Sequence, residues 1–419
     1  MKLSKLGLRT EKNRADEDNL SMDIAFQGNL MKRYSSGIYG LGNFLTKSRN
    51  KVVEIIREEL EKNDCVEVSL PIMQPKQLWE ESGRWQKYID SKEMFHFLGR
   101  NGEYCIAPTA EEVVFEFVKN NITSYKNLNI NIFQFGFKFR DEIRARGGLL
   151  RSKEFLMKDG YSFSSSFQEM EIEYEKMKQC YINIFKRLGL DILPVRAVNG
   201  SIGGKRSEEF MFISDIGGDK CLYNQEKNIA LNTEILEDEV IFNAFKNDYG
   251  EFDLKDFKEV KSIELGHIFQ LEQNYSKSMN GKFTTKDGEM DYFYMGCYGI
   301  GVNRTLGAIL EKNCDEEGLY FPQIIAPYNL EIVNLFDSEL NIVAENLYKK
   351  LLDEKIEVLW DDRDLPFGQK IKDAMLFGMP KIVIIGNKYK ESNLIEVEDR
   401  KTKEKQLMNL DDLIKLLKL

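Results

Sequence analysis

From residue 329 onward the apolar residues fall into short runs whose period keeps changing. Residues 330–335 read as a strand, 340–352 as a helix, 356–360 as a strand, 371–377 as a helix and 381–386 as a strand. Alternation of this kind folds as a compact layered α/β unit of three to five strands. The earlier part of the chain lacks that rhythm. Residues 44–62 read as a helix with Val52, Val53, Ile55, Ile56 and Leu60 on its apolar face, followed by a short strand with Val66, Val68 and Leu70 on one side and a stop at Pro71. Residues 129–164 read as two strands joined by an Arg-rich loop holding Gly147 and Gly148. Ser166 and Glu169 form a capping box for a helix running to Gly189. Residues 289–312 read as a strand, a glycine-rich turn and a helix. The sequence therefore predicts two domains, 1–325 and 326–419, changing over near 322–328. The first is α+β with a largely antiparallel sheet, and the second is smaller and α/β.

Composition removes several function classes. No apolar run approaches the ~20 residues of a membrane span. The six cysteines include no CxxC pair and the chain has two histidines, His96 and His267, so a Cys/His zinc site is not expected. Scattered thiols and the absence of a signal-peptide core point to the cytoplasm. The net charge of −10 disfavours nucleic acid as a general partner, although an acidic body can carry a local basic face.

Three stretches carry chemistry. In the first, Phe139-Arg140-Asp141-Glu142 precedes the loop and Arg151-Ser152-Lys153-Glu154-Phe155 follows it. A nucleoside triphosphate needs guanidinium forks for its phosphates, an acceptor for the adenine amino group and a flat apolar face for the base. Arg140 and Arg151, Glu142, and Phe155 supply these in turn. Strand alternation would put Arg140 with Glu142, and Arg151 with Phe155, on shared faces. A solvated basic hairpin would explain any one arginine, but not the whole set. The second stretch, Gly296-Cys297-Tyr298-Gly299-Ile300-Gly301-Val302-Asn303-Arg304, brings backbone close to a ligand and sets Arg304 in a helix's first turns; it lacks the Gly-Lys-Ser/Thr ending of a phosphate-binding P-loop. The third, Ala107-Pro108-Thr109-Ala110-Glu111-Glu112, reads by itself as a helix start with Thr109 as N-cap and Glu112 as its partner. Its functional reading is a buried carboxylate for an ammonium ligand.

Together these stretches resemble motifs 2 and 3 and the Thr-x-Glu loop of class II aminoacyl-tRNA synthetases of the prolyl type. Residues 44–75 resemble motif 1, the dimer-forming element, with motif 2 at about 130–163 and motif 3 at about 291–312. Further similar runs are Leu78-Trp79-Glu80-Glu81-Ser82-Gly83-Arg84-Trp85, Met157-Lys158-Asp159-Gly160-Tyr161-Ser162-Phe163 and Gly266-His267-Ile268-Phe269-Gln270-Leu271. Residues 326–419 resemble the anticodon-binding domain of the same class, through Trp360-Asp361-Asp362-Arg363-Asp364, Gly368-Gln369-Lys370 and Gly378-Met379-Pro380. The resemblance implies activation of proline by ATP with Mg²⁺, transfer to tRNAPro, and a homodimer. It implies catalytic roles for Arg140 and Arg304. Arg140, Glu142, Arg151, Ser152, Phe155, Glu264, His267 and Arg304 would hold ATP, with Glu264 helping to hold magnesium. Thr109, Glu111, Arg140, Phe269 and Cys297 would hold proline. Arg144 and Arg146 of the loop, with Lys370, Lys372, Lys381, Lys388 and Lys390, would meet tRNA.

Departures from the family pattern are also visible. Many bacterial members insert an editing domain between motifs 2 and 3. Here about 220–262 reads as a short linker in place of that insertion, and the stretch 232–263, about 30 residues, is below the ~40 residues an unaided domain needs. Ala145 and Gly147 stand where Pro and Phe are usual, Glu208 where His is usual, and Glu272 where Gly is usual. A paralogue with a changed amino acid or acceptor, or a non-catalytic tRNA-binding scaffold, are the competing readings. The scaffold reading expects lost phosphate arginines.

Overall fold

The two sequence rhythms correspond to two bodies, but not along the linear boundary. The computed structural model describes residues 1–14, 19–204 and 206–418. Residues 36–38 and 53–308 form one compact unit, whereas 1–35 and 39–52 join 309–419 in the other. Hydrogen bonding draws the amino-terminal residues there. Lys2 bridges to Trp360 in parallel, and the Trp360 N–H donates to the Met1 carbonyl at 2.9 Å.

The larger unit is built on nine strands. In chain order these are β1 (Val66–Glu67), β2 (Ile130–Phe139), β3 (Glu154–Ser164), β4 (Ile192–Ala197), β5 (Arg206–Ile213), β6 (Asp219–Asn224), β7 (Ile229–Asn232), β8 (Lys258–Glu272) and β9 (Tyr294–Gly301). The spatial order is β5-β4-β7-β6-β8-β9-β3-β2-β1. All neighbours are antiparallel except β4–β7 and β1–β2. The longer helices of residues 43–312 are α1 (Asn43–Glu61), α2 (Glu111–Lys119), α3 (Phe167–Arg187), α4 (Glu239–Tyr249) and α5 (Val302–Lys312). In α3, Met170, Tyr174, Met177, Tyr181 and Ile184 recur every three or four residues, and this buried stripe packs on β8 and β9. Its expected capping box is shifted by one residue: Ser166 accepts from the Glu169 N–H, but Glu169 returns to the Ser165 N–H.

Residues 220–262 are not a linker. They supply β6, β7, α4 and the start of β8, and Ile229, Leu231, Ile235, Phe245 and Phe257 close a small core of their own. Pairing of β7 with β4 and β6 ties this segment into the main sheet, so that small core does not have to stand alone.

The smaller unit follows the alternation closely. Strands β10 (Leu330–Asn334), β11 (Val358–Asp361), β12 (Lys381–Ile385), β13 (Ile395–Asp399) and β14 (Lys405–Met408) lie in the order β11-β10-β12-β13-β14. β10 is parallel to both its neighbours, as strands joined through α6 (Ser338–Asp353) and α7 (Phe367–Phe377) must be.

Candidate active site

Three strands make the floor of one cavity in the larger unit. Strand residues two apart share a face, and in β3 the lining residues are Phe155, Met157, Asp159 and Tyr161. Across the ladder His267, Gly299 and Asp159 form one row, and Phe269, Cys297 and Tyr161 the next. The glycines of the 296–301 stretch lie inside β9 rather than in a turn, and none adopts a left-handed φ. The ladder to β3 continues to Gly301, and α5 starts at the next residue, which leaves no room for a turn. Their use is spatial. A Cβ on Gly299 would meet nothing nearer than the His267 carbonyl at 3.8 Å, so its absence keeps the floor open.

The phosphate-type residues come from the walls. Strand alternation does not place Arg140 and Glu142, because β2 ends at Phe139. Nor does it place Arg151, since β3 begins at Glu154. Instead the Arg140 N–H donates to the Lys153 carbonyl at 2.9 Å and its Nε to Pro108 at 3.3 Å, leaving the guanidinium 5.5 Å from the Phe155 ring centre. Arg151 Nε lies 3.0 Å from Glu142. Burial would raise the Glu142 carboxyl, but hydrogen bonds from Arg151 and the Arg144 N–H hold it below the usual range. Arg304 is anchored at the Leu150 carbonyl (2.8 Å) and at Glu264 Oε2 (2.9 Å). The Ser152 hydroxyl is turned to its own backbone, donating to Glu154 at 3.0 Å. All three guanidiniums and the Phe155 ring line the same cavity.

An acidic cluster sits beside Arg304. The ladder between β5 and β8 shifts register at Leu265, pairing Phe210 with Gly266 and Met211 with Glu264. That bulge turns Glu264 to the side of His267, whose Nδ1 is 3.3 Å away. Burial works against the charge of Glu264, but the His267 hydrogen bond and Arg304 outweigh it and hold the carboxyl well below the usual range. Burial and the Glu264 charge push Glu209 and Asp219 up. Ligand atoms of Glu209, Glu264 and His267 lie within 4.8 Å of one another, and His267 Nε2 is buried without a partner.

The deep end is formed by Thr109, Glu111, Phe269 and Cys297. Thr109 is not an N-cap. The cap of α2 is Ala110, with no side-chain hydrogen bond, because both Glu111 and Glu112 turn into the core. Thr109 Oγ1 instead donates to Glu111 (2.8 and 2.6 Å), and Cys297 Sγ lies 3.4 Å from Glu111 Oε1. Burial opposes the Glu111 charge, but Arg84 and Thr109 outweigh it and keep its carboxyl below the usual range.

The other sequence assignments divide. Arg144 and Arg146 are exposed on their loop, and Lys372 is exposed on α7. Lys370 is not a surface cation. It is fully buried, donating to the carbonyls of Asp361 (2.9 Å) and Asn334 (3.2 Å), where the ends of β10 and β11 leave acceptors that need donors. Lys381, Lys388 and Lys390 are paired with Asp399, Glu396 and Asp337. Glu208 does not reach the cavity. It faces α3, where Lys178 (2.7 Å) and Tyr174 (3.0 Å) hold it. Glu272 sits at a bulge with φ +53°, a conformation that suits glycine, which is the residue usual there. Sequence reasoning did not single out Asp159, Tyr161, Glu209, Asp219 or Arg84. Asp159, Tyr161 and Arg84 lie within runs noted for resemblance, and nothing local marks Glu209 or Asp219.

Comparison with known proteins matches this architecture. Residues 95–313 fit the model of the tRNA synthetase class II core domain (G, H, P, S and T), and residues 325–418 that of the anticodon binding domain. The chain is 37% identical over 425 residues to a proline--tRNA ligase of Ehrlichia ruminantium, covering 99% of each chain. It is 39% identical to one of Sulfurimonas denitrificans, covering 96% of each. Among solved structures, a prolyl-tRNA synthetase from Cryptosporidium parvum, complexed with halofuginone and AMPPNP, superposes with a TM-score of 0.76 at 17% identity, over 97% of this chain and 77% of that one.

Proposed function

The chain belongs to the proline–tRNA ligase family, and on that premise we propose how its own residues divide the two steps of the reaction. It is an aminoacyl-tRNA ligase with ATP as a substrate and proline and tRNAPro as the other reactants. In the first step a proline carboxylate oxygen attacks the α-phosphorus of ATP and pyrophosphate leaves. In the second a ribose hydroxyl of the terminal adenosine attacks the prolyl carbonyl and AMP leaves.

Arg140, between Thr109 and Phe155, serves both the proline carboxylate and the α-phosphate. Phe155 stacks on adenine, and Glu142 accepts from its amino group. Arg151 and Ser152 lie along the nucleotide, and Arg304 takes the γ-phosphate. Glu111 and Thr109 meet the proline nitrogen, while Phe269 and Cys297 wall its ring. Glu264, Glu209 and His267 suit a divalent cation, two of them offering the hard oxygen donors that Mg²⁺ prefers. When bound, Mg²⁺ would neutralise charge across the phosphate oxygens. No side chain acts as a covalent nucleophile, and catalysis is positioning plus charge stabilisation.

The observation that carries this reading is the convergence of Arg140, Arg151 and Arg304, from two separate segments, on one cavity whose far end holds a buried Glu111. A non-catalytic scaffold has no need to keep those three. Proline-dependent ATP–pyrophosphate exchange tests activation, and charging of purified tRNAPro with proline, alanine and cysteine tests specificity. Absence of proline-dependent exchange overturns the reading.

Four further points belong to the proposal. The short 220–262 segment supports a protein without cis-editing; clear deacylation of alanyl-tRNAPro would refute that. Exposed Val66, Ile72, Met73, Phe97 and Leu98 support a homodimer, which sedimentation equilibrium checks. The enzyme works in the cytoplasm, where its tRNA is; no described helix is long and apolar enough to cross a membrane. Exposed Arg144, Arg146 and Lys372 are the cations offered to tRNA phosphate.

A further inference from the structure

Behind Glu111, away from the cavity, lies a charge that the reaction scheme has not used. Arg84 stands between two short helices, Lys76–Glu81 and Trp85–Asp90. Its guanidinium is 5% exposed and is surrounded by the rings of Tyr88, Trp79 and Tyr275, at 4.9, 5.2 and 5.5 Å. One nitrogen, Nη1, donates to Glu111 Oε2 and to Glu112 Oε1, both at 3.0 Å; Nη2 donates to the Tyr88 hydroxyl at 2.6 Å. Ser82 Oγ also donates to Glu112 Oε1, at 2.7 Å, and leaves Glu112 Oε2 buried without a partner.

A carboxylate with no exposed surface neutralises itself unless a cation and hydrogen bonds hold its charge. Glu111 must stay charged to attract an ammonium group and must keep oxygen lone pairs facing the cavity. Arg84 occupies one side of Oε2, and Thr109 braces both oxygens. We infer that Arg84 is a positioning residue for proline: it holds Glu111 ionised and in one orientation, while Glu112 fixes Arg84 in that place. This rests on the assignment of Glu111 to the proline nitrogen.

The two carboxyls divide the charge. Burial and the Glu111 charge raise Glu112, whereas at Glu111 the effect of burial is outweighed by Arg84 and Thr109. Of the two, Glu112 is the one pushed towards its neutral form. The other titratable groups facing Glu111 are Tyr161 on β3, Cys297 on β9 and Tyr275, all pushed up by burial and all neutral.

The test uses the full chain with Arg84→Met, Arg84→Lys and Glu112→Gln, assayed by proline-dependent ATP–pyrophosphate exchange. Losing a charge-assisted hold on the ammonium raises the proline KM of Arg84→Met about 10- to 100-fold, with the ATP KM unchanged. Arg84→Lys falls between it and the parent, and Glu112→Gln stays close to the parent. Without Arg84 the burial of Glu111 is uncompensated and its pKa rises. The variant's kcat/KM for proline then climbs as rising pH ionises Glu111, where the parent is flat from this group. Alanine loses the same factor as proline, because the ammonium is common to both; a merely deformed pocket would alter their ratio. A folded Arg84→Met with parental proline KM and pH profile overturns the inference. If that variant does not fold, Arg84→Lys with parental values does so, as does a tenfold KM rise in Glu112→Gln with Arg84→Lys unchanged. A parent with no proline-dependent exchange would instead defeat the proline reading itself.

Discussion

Asp159 lies on the cavity floor as half of a dry ion pair, and its replacement by Asn tests how that floor is held. Lys138 Nζ donates to Asp159 Oδ1 at 2.6 Å, with the two side chains 2% and 3% exposed. Gln134 (2.9 Å) and the Tyr161 hydroxyl (3.2 Å) donate to Oδ2. Asp159→Asn leaves an ammonium in the core without its countercharge, a loss of about 3–5 kcal/mol. Lys138→Met is milder, at about 1.5–3 kcal/mol, since the carboxylate keeps two donors. At about 2–4 °C per kcal/mol for a unit of this size, Asp159→Asn lowers Tm by roughly 6–20 °C. The double variant costs less than the sum of the singles, because the second substitution removes a charge already stranded. Thermal unfolding followed by far-UV circular dichroism, at fixed scan rate, on all four corners of the cycle measures this. Asp159→Asn within about 2 °C of the parent, or singles that simply add, would refute the dry pair.

Other outcomes follow from single contacts. Glu111→Gln keeps the shape but removes the charge, and the proline KM rises about 10- to 100-fold with the ATP KM unchanged; equal changes in both would point to general damage. Gly299→Val points a side chain into open space above the floor, so Tm holds while pyrophosphate exchange is lost; retained exchange would refute the placement of the nucleotide there. Glu331 on β10 is fully buried, neither oxygen has a hydrogen-bond partner, and burial with the Asp361 charge pushes its carboxyl well above the usual range. It therefore keeps its proton to higher pH in the folded chain than in the unfolded one, which ionises above about pH 4.3, so its contribution to stability falls as pH climbs. Glu331→Gln therefore reduces the loss of Tm between about pH 5 and pH 8; an equal loss in parent and variant would contradict this.

Local pattern carried much of the molecule. The strand–helix alternation after residue 329 specified the three parallel strands of the smaller unit and their two helices, since period is written in neighbouring residues, but not the antiparallel pair β13 and β14 that completes the sheet. The twelve residues assigned to nucleotide and proline all line one cavity; the arginines, Glu142, Phe155 and the carboxylate of the 107–112 stretch are legible as types suited to phosphate, adenine and ammonium, whereas Ser152, Glu264, His267, Phe269 and Cys297 come only through the family resemblance. What decided their geometry was long-range. A one-residue bulge at Leu265 brings Glu264 to His267, which strict alternation would keep apart. The partner of Glu111 is Arg84, 27 residues upstream, and the identity of a buried charge's partner depends on packing rather than spacing. Lys370 looked like a surface cation and is a core donor, because the strand ends above it expose carbonyls that no local rule reveals. Sequence alone determined which chemical groups are available and the periods in which they recur. Tertiary structure decided which of them are desolvated together, since burial makes a charge demand its partner and only the folded register supplies one.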